Sequence, residues 1–299
     1  MNSDSSPSSS LLPIAAAALG IAFLSSMDAF MKEAALLTGT YTATMVRSLI
    51  GLAIIVPFWL WRWTGWPSRN AMKLHLERGF ISAFMALSFF YSITKLPLAE
   101  AIAISFIAPL IALYLARVLL GEVIRPAAIF ASVLGFVGTI VIVSGKMGQG
   151  DFDKDAMLGV GAVLFSAMLY AYNFIVIRKQ SQAAGPLEIA TFHSGIGGLI
   201  FLIAAPFFAT PVAEDAWLPL AAAGLLTVGG ALALAWAYAR AEAQVLVPIE
   251  YSGFLWASAL GWMFFHEAVT WPTLAGTGLI VTGCLLATRR GKRAKIAPA

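Results

Sequence analysis

"RVLLGEVIRP" at residues 117–126 sets one carboxylate, Glu122, between two long apolar runs, and "MFFHEAVTWP" at 263–272 sets Glu267 the same way 145 positions later. A carboxylate between hydrophobic walls is costly, so its recurrence needs a reason. The runs beside it supply the first part. "AIAISFIAPLIALYLA" (101–116) and "LPLAAAGLLTVGGALALAWAYA" (218–239) carry no charged residue. About 20 apolar residues match the hydrocarbon thickness of a bilayer.

Composition extends the same reading to the whole chain. Hydrophobic residues make up 60% and charged residues 11% of the 299, with a mean hydropathy of +0.85. Soluble domains hold roughly 45–50% apolar and about 25% charged residues. The sequence therefore predicts an all-α, polytopic membrane protein. A β-barrel would need segments of about 10 residues alternating in polarity, and that pattern is absent. Cys284 is the only cysteine, which excludes an intramolecular disulfide. The net charge of +4 does not point to nucleic acid, because the basic residues sit at helix ends and in the tail. "MNSDSSPSSS" lacks the basic residues of a secretory leader, so no signal peptide is expected.

Charges, Pro and Gly punctuate ten candidate spans, at 11–36, 41–62, 75–95, 98–118, 125–145, 157–178, 187–209, 216–239, 245–265 and 271–289. The domain plan is a disordered polar tail (1–10), a five-helix unit (11–145), a linker (146–156), a second five-helix unit (157–289) and a basic tail (290–299). Lys and Arg bias sets orientation in a membrane. With the N-terminus inside, fourteen basic residues fall on inner connections and the tail, against Lys95, Lys146 and Lys154 outside. Both termini are thus expected in the cytoplasm, in a bacterial inner (plasma) membrane.

Sliding the chain on itself reveals a second copy. At an offset of 141, Gly20 meets Gly161, Ser25 meets Ser166 and Met27 meets Met168; at 146, "RSLIGL" (47–52) lies on "HSGIGG" (193–198). At 145, Tyr91 meets Trp236, Lys95 meets Arg240, Glu122 meets Glu267 and Gly138 meets Gly283. Five spans per unit is odd, so the two units enter the membrane in opposite senses. Inverted repeats of this kind build many secondary transporters, with the substrate site at the repeat interface. The repeated Glu follows from duplication of a whole unit.

The Pro in span four, "LLGE" and "VLGFVGTIVIVSG" (133–145), repeated as "FFHE" and "LAGTGLIVTG" (274–283), resemble the drug/metabolite transporter superfamily. The ten-helix EamA-type exporters fit best, from about residue 14 to 289. "SSMDAFMKEA" and "AYARAEAQVLVPIEYSGFLWASALGWMFFHE" also look like the aromatic amino-acid exporters of that superfamily. The resemblance implies a central cavity lined by spans one, three, four, six, eight and nine, with no ATP and no cofactor.

Candidate site residues follow from polarity inside the spans. Asp28 and Lys32 sit at i and i+4, acid first, the favourable order for a helical ion pair; they face a cavity or lie near a helix end, where Lys32 can snorkel. Asn173 is the repeat partner of Lys32. Arg47 and His193 hold matched positions, as anion hooks or, for His193, a titratable switch, or, the reading preferred, as structural residues, Arg47 contacting headgroups and His193 hydrogen-bonded inside the bundle. Glu250, two residues after Pro248 and followed by Tyr251 and Trp256, could receive a substrate ammonium or pair with Arg240. Glu122 and Glu267 read as braces at helix junctions, and Pro109 as a helix-four counterpart of Pro248 that is not at the matched position. Phe90, Tyr91, Phe106, Tyr170, Tyr172, Trp236, Tyr238, Tyr251 and Trp256 are the aromatics from which a path would be lined. Trp59, Trp61, Trp63 and Trp66 read as an interfacial belt. No metal site is expected.

Together these readings predict a monomeric secondary transporter, embedded in lipid, that exports aromatic and other apolar amino acids by alternating access. Arginine and lysine side chains would hold the substrate carboxylate, and carboxylates or amide oxygens its ammonium. A broad drug or metabolite exporter is the rival within the class. A membrane enzyme would need a constellation such as H-E-x-x-H or G-x-S-x-G, and "HEAVT" (266–270) lacks the second His. A channel would need a filter segment, and none is visible.

Overall fold

The computed structural model describes residues 11–62, 65–120, 126–148, 154–180, 182–238, 240, 246 and 249–289. Among them eleven α-helices follow in order: α1 Leu11–Thr38, α2 Thr40–Trp61, α3 Arg69–Lys95, α4 Leu98–Ser105, α5 Ala108–Leu120, α6 Pro126–Gly148, α7 Lys154–Gln180, α8 Pro186–Phe208, α9 Trp217–Tyr238, α10 Gly253–Phe265 and α11 Trp271–Arg289. Six described stretches are long and apolar enough to cross a membrane: 11–38, 40–61, 98–119, 154–177, 187–208 and 214–237. Spans four and nine are each interrupted, α4 and α5 together making one span and α10 the second part of another. With these joined, the bundle has ten spans in two inverted five-span repeats.

Local chemistry sets the boundaries. Gly39, at φ 85°, makes the one-residue turn between α1 and α2, a conformation that a Cβ disfavours. Ser68 caps α3 by accepting from Ala71 N at 3.2 Å, so the helix starts at Arg69, six residues before the start read from hydropathy at 75. Arg69, Lys73, Glu77 and Arg78 make that first stretch polar, which hid it from an apolar-run criterion.

Helix pairing reveals the two-fold design. α1 lies along α9, α3 along α7, α2 along α8, α6 along α11, and α4 against α10. Every one of these pairs joins the first unit to the second. Exchanging the units carries span one onto six and span eight onto three, so the α1–α9 and α3–α7 pairs are images of each other. Spans two and seven, four and nine, and five and ten map onto themselves. α6 crosses α11 at close range, where a Cβ on Gly138 would stand 2.5 Å from the Gly276 carbonyl oxygen. Small residues permit that approach between membrane helices.

The largest apolar core lies toward the end of the bundle where α3 finishes and α7 begins, here the linker end. Met31, Ala34, Ala43, Ile93, Leu98, Ala101 and Leu220 are fully buried there. At the other end, where α1 begins, Ala17, Ala237 and Leu246 form a smaller cluster.

The break in span four has a clear cause. Pro109 has no N–H to give Ser105, and Phe106 N, Ile107 N and Leu110 N turn to acceptors three residues back. In span nine Ser252 N and Phe254 N do the same. Span four was expected over 98–118 with Pro109 as its counterpart of Pro248; the interruption falls at 106–107, just ahead of that proline. Trp59 is also corrected: it is buried, edge-on to Phe192 with ring centroids 5.7 Å apart, whereas Trp61 and Trp66 are exposed as a belt would be. Trp63, Glu122 and Pro248 lie outside the described residues, as does the side chain of Tyr238.

Candidate functional site

The two interruptions meet at the centre of the bundle. Phe106 and Tyr251, the residues at the two breaks, are 145 positions apart and stack edge to face at 5.2 Å. Around them lies a cavity of about 910 Å³. Discontinuous spans at corresponding places in two inverted halves are where transporter sites form.

The cavity wall repeats itself in pairs. Ser25 and Ser166, Arg47 and His193, Ser48 and Ser194, Gly51 and Gly197, Ser82 and Thr227, and Phe106 and Tyr251 all line it, each pair related by the repeat offset. The pseudo-two-fold axis therefore runs through the chamber. Asp28 and Glu250 break the symmetry, since their counterparts are Leu169 and Ser105. Spans two and seven contribute Arg47, Ser48, His193 and Ser194, so the set of lining spans is larger than the six expected.

Asp28 and Arg47 are close enough to interact electrostatically. The Arg47 guanidinium lies over the Phe90 ring, 5.1 Å from its centroid, and donates to Thr227 Oγ1 at 3.5 Å. Arg47 Nε, His193 Nδ1 and Ser82 Oγ line the chamber and, with Ser252 Oγ beside it, are the buried polar side-chain atoms without a hydrogen bond among the described residues. Buried polar groups are seldom left unpaired in native proteins. Their gathering at one chamber makes it the candidate site.

Lys32 lies beyond the chamber, toward the linker end. It was expected to pair with Asp28; in the structure its ammonium is bonded to Glu267 Oε1 and to the Leu96 carbonyl at 2.8 Å. Glu267 Oε2 accepts from Leu98 N at 2.8 Å, an N–H in the first turn of α4 that has no helical partner of its own. His266, in the left-handed conformation at φ 54°, ends α10 and aims Glu267 inward. The repeated Glu that opens the sequence question thus serves, in its second copy, as a clasp across three elements.

Asn173, the counterpart of Lys32, accepts from Arg78 Nε at 3.3 Å near the opposite end. The Lys95 ammonium lies 6.0 Å from the Tyr91 ring centroid, Trp236 lies 4.1 Å from Arg240, and Trp256 is exposed; none of these three aromatics is among the cavity-lining residues described. Tyr170, Pro109, Phe106, Tyr251 and Glu250 do line it, with Phe89, Phe90 and Phe174, of which Phe89 and Phe174 were not singled out from sequence. Their signal was available only as positions on spans three and six facing inward.

A family model describes this architecture twice along the chain, at residues 11–144 and 157–289: the EamA-like transporter family. The chain belongs to the EamA-like transporter family. Similar proteins carry transporter names. A pseudopaline exporter of Pseudomonas aeruginosa is 27% identical over 268 residues, covering 89% of this chain and 92% of that one. A riboflavin transporter of Vibrio cholerae is 24% identical, over 83% and 82% of the two chains. An S-adenosylmethionine uptake transporter of Rickettsia felis is 24% identical, over 92% of each. A solved crystal structure, 20% identical, matches 96% of this chain and 99% of its own with a TM-score of 0.64, which shows the shared fold. This EamA-like chain is a multi-pass membrane transporter of small molecules.

Proposed function

We propose that the chain is a monomeric secondary carrier that exports aromatic and other apolar amino acids across a bacterial inner membrane, with the two chain ends in the cytoplasm. One observation carries the reading: Asp28 and Arg47, of opposite charge, face one chamber that also holds Glu250, His193 and several hydroxyls among a majority of apolar and aromatic side chains. An α-amino acid offers the matching pattern, a cation and an anion on one carbon and an apolar group beyond. Asp28 and Glu250 receive the ammonium, and Phe90, Phe106, Tyr170 and Tyr251 the side chain. Ionisable groups inside membrane spans commonly mark such a path.

Alternating access follows from the repeat. The two units exchange conformations, and the chamber on their axis opens first to one face and then to the other. Opening toward the linker end separates Lys32 from Glu267, because the clasp ties α1 to the α10–α11 junction.

A second reading is export of larger metabolites. The cavity volume favours it, being near the top of the roughly 300–1,000 Å³ range of ligand pockets. Uptake by purified protein in liposomes separates the two. Saturable uptake of labelled Trp, Phe or Met, measured with and without a pH gradient, supports the amino-acid version. Its absence removes that version and leaves the broader one.

A further inference from the structure

The two-fold pairs in the chamber wall make a bond on one side that is missing on the other. Arg47 donates to Thr227. Exchanging the units carries Arg47 onto His193 and Thr227 onto Ser82, and there both His193 Nδ1 and Ser82 Oγ are buried without a partner among the described residues. Arg47 Nε is unpartnered as well. The two helices are in contact here: a Cβ on Gly51 of α2, one turn from Arg47, would lie 3.8 Å from the Oγ of Ser194 of α8, next to His193.

Cationic groups gather on this side of the chamber, with the Asp28 carboxylate within reach of Arg47. His193 lies within electrostatic reach of both Arg47 and Arg78. Arg78 donates to the amide oxygens of Asn173 and Gln180, at 3.3 and 2.9 Å. Among the described residues neither guanidinium has a carboxylate within ion-pair distance. Desolvating a cation is costly; Asp28 is within electrostatic reach of Arg47 but not at ion-pair distance, so an arriving anion supplies the direct partner that the guanidinium lacks. The guanidinium fork suits planar carboxylate geometry. Asp28, across from Arg47, disfavours a multiply charged phosphate and favours an anion that carries a cation beside it. Lys32, buried beyond the chamber, is bonded to Glu267 instead.

We propose that Arg47, His193 and Ser82 form a carboxylate-binding subsite, an assignment that rests on the small-molecule carrier reading. One carboxylate oxygen accepts from Arg47 Nε. The other accepts from the Ser82 hydroxyl and from His193 in its Nδ1–H form, as a neutral imidazole can donate from either nitrogen. The carrier therefore discriminates acids from their amides and from the corresponding amines.

Calorimetric titration of the purified full chain in detergent tests this. The probes are phenylalanine, phenylalaninamide, phenethylamine, hydrocinnamate and citrate. Phenylalanine and hydrocinnamate bind, and phenylalaninamide and phenethylamine bind at least about tenfold more weakly, a difference of about 1.4 kcal/mol. Arg47→Gln and His193→Phe each erase that preference. Amide binding equal to acid binding overturns the subsite, as does an unchanged preference in a monodisperse Arg47→Gln. The wild-type ratio needs no variant, so a misfolded substitution leaves the test intact. If hydrocinnamate or citrate binds in an Arg47-dependent way while phenylalanine does not, the amino-acid reading falls and the subsite stands. If no carboxylate binds, the subsite falls.

Discussion

Phe106 and Tyr251 occupy the same position in the two repeats, 145 residues apart, and their rings meet edge-on at 5.2 Å and 89° where spans four and nine are both interrupted. Two breaks facing each other on a pseudo-two-fold axis leave the centre of the bundle free of continuous helix. The chamber forms there, and its wall is assembled from matched residues of both units.

The aromatic pair should act as one element of the chamber. Phe106→Ala and Tyr251→Ala each weaken binding of an aromatic substrate. The double variant costs less than the sum, with a coupling of about 0.5–1.5 kcal/mol, the range for ring pairs in contact. Additive losses in the binding cycle would mean that the rings do not work together.

The Lys32–Glu267 clasp holds the linker end. Removing one partner of a buried ion pair leaves the other uncompensated, at a cost of about 3–5 kcal/mol. Glu267 is partly accessible, which places the expected loss for Lys32→Met or Glu267→Gln at the lower end of that range. The melting temperature of purified protein should fall in both. Lys32→Met with Glu267→Met should recover much of it, and a double variant as unstable as the singles would contradict the clasp.

The helix interface between spans five and ten tolerates no added methyl group at Gly138. A Cβ there meets a backbone carbonyl, which cannot move aside as a side-chain tip can. Gly138→Ala should lower stability by about 1–3 kcal/mol, whereas Gly161→Ala, with open space around its Cβ position, should not. Thermal melts of the two variants make the comparison.

Within the chamber, Asp28→Asn should reduce amino-acid flux at least about tenfold while expression and elution stay normal. Trp236→Ala is the informative control. The Trp236 ring lies under the Arg240 guanidinium rather than on the cavity wall, so its loss should leave the ranking of aromatic over small substrates unchanged. A selective penalty on aromatic substrates would put Trp236 in the path.

Much of this design was legible in the sequence. The ten spans and the inverted repeat follow from run length and from the order of Gly and polar landmarks, because a bilayer imposes length and duplication preserves order. Tyr251, Phe106 and Tyr170 line one chamber, and their places on the inner spans are what singled them out in the sequence. The partner of Lys32 was not legible. Asp28 lies one helical turn away in sequence, whereas Glu267 reaches it only through the fold, 235 positions on. The place of Arg47 was equally hidden, because headgroup contact and cavity lining differ by a rotation of α2 about its axis. Pro109 was legible as a weak point of span four, but the place of the break was not, because Ser105, Phe106 and Ile107 are ordinary helix residues and the missing donor lies further on, at Pro109.

The central claim is that one chamber, shared by two inverted units, is exposed in turn to each face of the membrane. Ser48→Cys and Ser194→Cys, made separately in a Cys284→Ser background, place a thiol at matched points of its wall. A membrane-impermeant thiol reagent, applied to oriented vesicles from one side and then the other, reads the exposure of each. The account predicts that both positions react from both faces and that bound substrate protects both. Reaction of either position from a single face only, unchanged by substrate, would contradict it.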